Sequence, residues 1–267
     1  MVKEIYIAGE WRLGKGNTIQ SLFPADQSVN AEISTASLDD VNEAIEKADL
    51  AWRQAGWRNS MPHERARILY KVAEIIEARV DELAKLQTRD NGKPLAETRG
   101  LVMSAAATAR YVAAACETLN DELTTQRAAD FMTMSVHEPV GVVAAITPWN
   151  SPIASEVQKL APAIAAGNAV ILKPAEATSL IALELAKIFE QAGLPKGLLS
   201  VLVGRGSVIG DAIVKHPLVR KISFTGGTTT GRHLAHLAAD KLITTSLELG
   251  GKSPTIVMPD ADIELAV

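Results

Sequence analysis

The sequence predicts a doubly wound α/β fold: a parallel sheet with helices on both faces, preceded by an amino-terminal helical arm and interrupted by a protruding β-hairpin. Two observations carry this. Short apolar runs at 140–147, 169–172, 199–203, 219–224 and 243–248 alternate with helical stretches near 154–166, 178–192, 207–215 and 228–240, the pattern of repeated βαβ units. The runs VGVVAAIT and AVIL are also apolar at successive positions, which suits strands buried on both faces.

The elements before the sheet follow from local signals. Residues 1–37 read as turn-rich, with Gly9, Gly14, Gly16 and Pro24. A helix starts at Leu38, with Ser37 as N-cap and acids in its first turn. Ser60-Met61-Pro62 opens a second helix that runs through HERARILYKVAEIIEARVDELAKLQTRD to a breaker cluster, Asn91-Gly92-Lys93-Pro94. A third, Ala-rich helix extends from Leu95 to Leu119. Alternation at Phe131, Thr133, Ser135 and His137 makes 121–138 an exposed hairpin, a contact between copies of the chain.

Composition narrows the function classes. With 267 residues, 47% hydrophobic and 22% charged, the chain can bury one large core or two domains. A net charge of −4 with scattered Lys and Arg offers no face to a phosphate backbone, which excludes nucleic acid as a partner. The start, MVKEIYIAGEW, has no apolar core long enough for a secretory signal. The longest uncharged stretch, 139–155, is broken by Pro148 and Asn150 and is too short to cross a bilayer. A cytoplasmic location with no membrane partner is the default. The lone Cys116 excludes an internal disulfide and agrees with a reducing compartment.

Ligands of open parallel sheets sit beyond the carboxyl ends of the strands. All five runs end in polar or glycine-rich text: Thr147-Pro148-Trp149-Asn150, Lys173-Pro174-Ala175-Glu176, Gly204-Arg205-Gly206, Thr225-Gly226-Gly227 and Glu248-Leu249-Gly250-Gly251-Lys252. Gly204-Arg205-Gly206 with Gly210 is a dinucleotide-type glycine fingerprint one residue too long, and a plain glycine turn reads equally well. Gly226 to Gly231 is the rival phosphate loop, with Thr228 or Thr229 as N-cap of the next helix. Read alone, Glu176 is a solvated loop residue, Asn150 a turn cap between Pro148 and Pro152, and Glu248 a strand residue paired with Lys252.

Four phrases change those readings. ITPWNSP from Ile146, KLAPAIAAGNAVILKPAEATSL from Lys159, FTGGTTTG from Phe224 and LELGGKSP from Leu247 occur together and in order. The chain thereby resembles the aldehyde dehydrogenase superfamily over essentially its whole length. The resemblance implies a Rossmann-like domain and, in the intact parent, oxidation of a small-molecule aldehyde to a carboxylic acid with NAD, NADP being second choice. It implies a homo-oligomer and no metal.

Residue by residue, the resemblance implies that Lys173 and Glu176 hold the adenosine ribose, a carboxylate there favouring NAD over a 2′-phosphate. Phe224, Thr225, Gly226 and Gly227 would support the pyrophosphate and nicotinamide end, with Trp149 and Gly206 nearby. Ile146, Thr147, Pro148, Gly210, Thr230 and Leu249 complete the cofactor set. Many relatives have serine where this chain has Gly227, so a hydroxyl contact is lost while the backbone N–H stays available.

Asn150 matches the side-chain amide of the oxyanion hole, a kind of donor worth about 2.7–4 kcal/mol in the transition state. Glu248 matches the general base, which partial burial would tune. Residues 1–120 and 139–250 then form the NAD-binding domain, 121–138 the oligomerisation hairpin, and 251–267 the start of a largely missing catalytic domain. SPTIVMP reads as a strand of that domain whose sheet partners are missing. The family's nucleophilic cysteine is expected past the LELGGK phrase. Cys116, in YVAAACETL with no basic neighbour in the sequence, reads as a structural thiol. The competing class is a dinucleotide-binding or subunit-association module without turnover.

Overall fold

The computed structural model describes residues 2–54 and 56–267. Its first 37 residues are not mere turns but four short strands, β1 (Ile5–Ile7), β2 (Glu10–Arg12), β3 (Thr18–Leu22) and β4 (Val29–Ser34). Three-residue strands are too short for periodicity to reveal. The β1–β2 connection is a two-residue turn in which Ala8 and Gly9 both take positive φ, 53° and 87°. Alanine at the first of those positions hides the hairpin signature, which favours Asn or Gly.

Helix α1 (Leu38–Gln54) starts as expected. Ser37 Oγ accepts from the Asp40 N–H at 3.1 Å, and the Asp40 carboxylate accepts from the Ser37 N–H at 2.9 Å. Burial pushes the Asp40 carboxyl up, but the N–H groups of Ser37 and Lys15 and the Arg12 guanidinium hold it below its usual range. The expected long second helix breaks at Arg79 (φ −118°, ψ 22°) into α2 (Pro62–Ala78) and α3 (Val80–Asn91). Arg79 reaches across to Glu184 at 2.9 Å and also pairs with Glu82. The break turns α3 so that Leu83, Ala84 and Gln87 enter the core.

After α4 (Leu95–Thr118) come β5 (Glu122–Leu123) and β6 (Met134–Ser135), paired antiparallel with Glu122 opposite Ser135. The hairpin is therefore real but minimal, and residues 117–138 are exposed on every side.

The regular part comprises β7 (Val142–Ile146), α5 (Pro152–Ala165), β8 (Ala169–Lys173), α6 (Leu180–Gln191), β9 (Leu199–Val201), α7 (Asp211–Lys215), β10 (Val219–Gly226), α8 (Thr228–Ala239) and β11 (Thr244–Leu249). They form a seven-stranded sheet in the order β11-β10-β7-β8-β9-β1-β2. The five later strands pair in parallel, and β1 and β2 extend the sheet antiparallel. The chain steps outward from β7 to β9 and then returns to the other side of β7. The order thus reverses between β7 and β10, where open α/β sheets place their ligands. Helices α5 and α6 cover one face, backed by α2, α3 and α4, while α1, α7 and α8 cover the other. Both β7 and β8 are buried throughout.

Side chains of α3 anchor the starts of α5 and α6. Gln87 Oε1 accepts from the Ile153 N–H at 3.0 Å. Asp90 accepts from Ser21 Oγ at 2.6 Å and from the Leu180 N–H at 2.9 Å. Burial pushes the Asp90 carboxyl up to about 6. Beside it lies Glu156, wholly buried with neither carboxyl oxygen hydrogen-bonded, and burial raises its pKa well above the usual range.

The expected strand in SPTIVMP does not form. Residues 251–258 pair with no strand, and Ile256 is 79% exposed. The short α9 (Ile263–Ala266) follows, capped by Asp262.

Candidate active site

The reversal point opens into a cavity of about 460 Å³ between the carboxyl ends of β7, β8 and β10 and the helices α7 and α8. Ile146, Lys173, Gly206, Gly210, Phe224 and Thr230, all expected to hold the cofactor, line it. Lys173 ends β8 only 4% exposed, with Nζ donating to the Pro174 carbonyl at 2.9 Å. Burial lowers its pKa to about 8, against the pull of the Glu176 carboxylate. Glu176 stands half-buried at the start of a short 3₁₀ turn, Glu176–Thr178.

Small residues make room for a ligand beside Lys173. Gly206 and Gly210 delimit a π-turn, and a Cβ at either would lie 4.0 or 3.8 Å from the Lys173 side chain. Thr147 donates its N–H to the Lys173 carbonyl at 3.2 Å, and its buried hydroxyl has no partner. At Gly231 a Cβ would fall 2.3 Å from Leu249 Cδ2, so glycine lets α8 lie directly on β11. The N-cap of α8 is Gly227, not Thr228 or Thr229, and no side chain caps it. The backbone there is already helical at Thr228, which leaves Thr228, Thr229 and Thr230 exposed on the first turn.

Alternation along the strands puts a second set on the α5 side. A cavity of about 790 Å³ there is lined by Lys159, Ser223, Thr225, Ser246 and Glu248, among others. Thr225 thus faces away from Phe224, with which it was expected to act. Lys159, 8% exposed, lies 3.2 Å from Ser223 Oγ. Burial lowers its pKa while the Glu248 carboxylate opposes the shift. Sequence reasoning missed Lys159, although a lysine inside the apolar stretch from Val157 to Leu172 was the available signal. Glu248 itself is exposed rather than partly buried, because β11 is the sheet edge. Its charge neighbour is Lys159, and no ion pair to Lys252 occurs among the described residues.

Trp149 and Asn150 stand exposed beyond β7, with Pro148 half-buried before them. The Asn150 side chain caps nothing: Ser151 is the N-cap of α5, without a side-chain bond. Gly226 ends β10, and Leu249 ends β11 partly exposed. Cys116 lines neither cavity and donates towards the Ala165 carbonyl at 3.3 Å. Burial pushes its thiol up, and Arg65 opposes this. That basic neighbour comes from α2 and is invisible in the local sequence. No cluster of His, Cys, Asp and Glu suited to a metal occurs among the described residues. No helix among the described residues is long and apolar enough to cross a membrane.

The first cavity opens at the carboxyl ends of the parallel strands, the second runs along the α5 face of the sheet to Thr225 and Glu248, and the family model described as "Aldehyde dehydrogenase family" matches residues 11–267. The chain belongs to the aldehyde dehydrogenase family. It is 41% identical to a phenylacetaldehyde dehydrogenase of Pseudomonas fluorescens over 266 residues, covering 97% of this chain and 53% of that protein. Its fold superposes with a TM-score of 0.95 on betaine aldehyde dehydrogenase of Staphylococcus aureus solved in complex with NAD+. There the identity is 35%, covering 99% of this chain and 53% of that one. A point mutant of the same enzyme solved without cofactor gives the same TM-score of 0.95. The chain spans about half the length of the relatives it matches.

Proposed function

We propose that this chain is the NAD-binding part of an enzyme that oxidises a small-molecule aldehyde to the carboxylic acid. The observation that carries the reading is the buried Lys173 ammonium opening onto the glycine-lined cavity at the sheet reversal. Lys173 and Glu176 hold the adenosine ribose, and the Glu176 carboxylate disfavours a 2′-phosphate. The N–H groups at Gly226 and Gly227, with the start of the twelve-residue α8, take the pyrophosphate. Ile146 and Phe224 wall the cavity, Thr147, Pro148, Trp149 and Leu249 shape the strand ends around it, and Thr225 backs Phe224 from the α5 side. NAD, once bound, supplies the hydride acceptor.

Asn150 donates its side-chain N–H to the aldehyde oxygen as that oxygen gains negative charge. Glu248, open to solvent on the α5 side, takes a proton from the water that releases the acid. Lys159, hydrogen-bonded to Ser223 and lining the same cavity as that carboxylate, offsets its charge. The thiolate nucleophile of such a reaction has no candidate in this chain, since Cys116 lies outside both cavities. The domain limits follow the sequence reading: 1–120 and 139–250 for the cofactor, 251–267 for the start of the catalytic part. The hairpin at 121–138 exposes Leu123, Phe131, Met132 and Met134, which supports a contact between copies of the chain. The unpaired Cys116 supports a cytoplasmic setting.

The test separates binding from chemistry. NAD at about 100 times its dissociation constant should stabilise the chain by roughly 2.7 kcal/mol in thermal melts. Aldehyde should yield no NADH until the carboxy-terminal part of a relative, with its cysteine, is added. Absence of NAD binding would refute the reading. So would aldehyde-dependent NADH formation by the chain alone that is lost on Cys116→Ala.

A further inference from the structure

One bridge joins the two helical walls of the cofactor cavity and has no part in the roles assigned above. His233 on α8 and Asp211 at the start of α7 both line the cavity, and His233 Nε2 lies 2.9 Å from Asp211 Oδ1. Lys215 Nζ lies 3.2 Å from the other Asp211 oxygen. The carboxylate is thus engaged at both oxygens, and it accepts the imidazole N–H. A neutral imidazole that donates through Nε2 keeps Nδ1 as an acceptor. The His233 side chain is half exposed and lines the cavity, so the imidazole can meet a ligand there. With a ribose at Lys173, the space left for the attached base lies between α7 and α8. His233, Thr230 and Leu234 form the α8 wall there.

We propose that His233, oriented by Asp211, recognises the adenine of the dinucleotide by accepting a hydrogen bond from its exocyclic amino group. This rests on the dinucleotide reading of the cavity. A 6-oxopurine presents an acceptor in place of that amino group, so acceptor would face acceptor. In a half-exposed site, one such hydrogen bond is worth about five- to tenfold in affinity.

Calorimetry of the full chain in mildly alkaline buffer, with NAD and with nicotinamide hypoxanthine dinucleotide, tests this. NAD should bind about five- to tenfold tighter. His233→Leu should weaken NAD alone and bring the two affinities within about twofold. His233→Gln, whose amide offers either a donor or an acceptor, should instead raise the hypoxanthine analogue to the affinity of NAD. A merely structural histidine would not produce that gain. Equal affinities in the unmodified chain, or an unchanged ratio in both variants, would overturn the assignment while leaving the cofactor site standing. If neither dinucleotide binds, the dinucleotide reading falls and this inference falls with it.

Discussion

Replacing Asp90 with Asn should alter the slope of stability against pH more than stability at acid pH. Burial raises the Asp90 carboxyl from 3.8 to about 6, and bonds from Ser21 and from the Leu180 and Ile181 N–H groups only partly offset this. The folded state therefore holds the proton more tightly than the unfolded chain. The stabilisation is complete at and below about pH 4 and is lost as pH rises through about 6. Roughly 2 pH units at 1.36 kcal/mol per unit amount to about 3 kcal/mol. Glu156 is raised too, by burial and then by the Asp90 charge, so it carries the same sign to higher pH. Asp40, Glu43 and Glu77 are held low and act oppositely, but below this window. For a chain of this size about 3 kcal/mol shifts the melting temperature by roughly 6–12 °C. Circular-dichroism melts from about pH 4 to about pH 8 should show the wild type losing that much relative to Asp90→Asn. Parallel profiles for the two proteins would refute the reasoning, because the buried carboxyl would then not be titrating between them.

Two further outcomes are expected. NAD should bind more tightly than NADP, and Glu176→Gln should narrow the gap, since the carboxylate repels a 2′-phosphate; equal or tighter NADP binding by the unmodified chain in calorimetry would count against that role. Ending the chain near Lys252 should reduce self-association, because the tail exposes Ile256, Val257 and Met258 with no strand to pair with; identical light scattering from the two lengths would sink this idea.

The legible part of the fold was the part with strong local signals. Val142–Ile146 and Ala169–Lys173 are buried on both faces, so their unbroken apolar runs announce parallel strands. The text after each run carried Lys173, Gly206, Gly210 and Phe224 into one cavity. What escaped was short or long-range. Ile5–Ile7 and Glu10–Arg12 are too brief for a period, and the break at Arg79 is stabilised by Glu184, over a hundred residues away in the chain. Lys159 against Ser223, Asp211 against His233 and Arg65 beside Cys116 are all contacts between different elements. Glu248 is exposed because its strand is the sheet edge, which the strand order and not the local text decides, and Thr225 faces away from Phe224 for a more local reason. A strand end was read as a loop acting as one unit, whereas pleating sends neighbours to opposite faces. SPTIVMP has the composition of a strand but no neighbour to pair with, and composition alone does not make a ladder.

The pleat that separates Phe224 from Thr225 also constrains how this sheet edge can change. Leu247 packs beneath α8 with Phe224 and Leu234, whereas Glu248 opens to the α5 side with Ser223 and Lys159. Each face tolerates substitution independently of the other. Neither tolerates a change in length: inserting or deleting one residue in β10 or β11 inverts every side chain beyond it. Such a change near the start of β11 would swing the Glu248 carboxylate beneath α8 and send Leu247 and Leu249 to the α5 side. Variation among chains of this fold should therefore appear at these strands as exchanges of residue type, with gains and losses of residues displaced into the loops at either end.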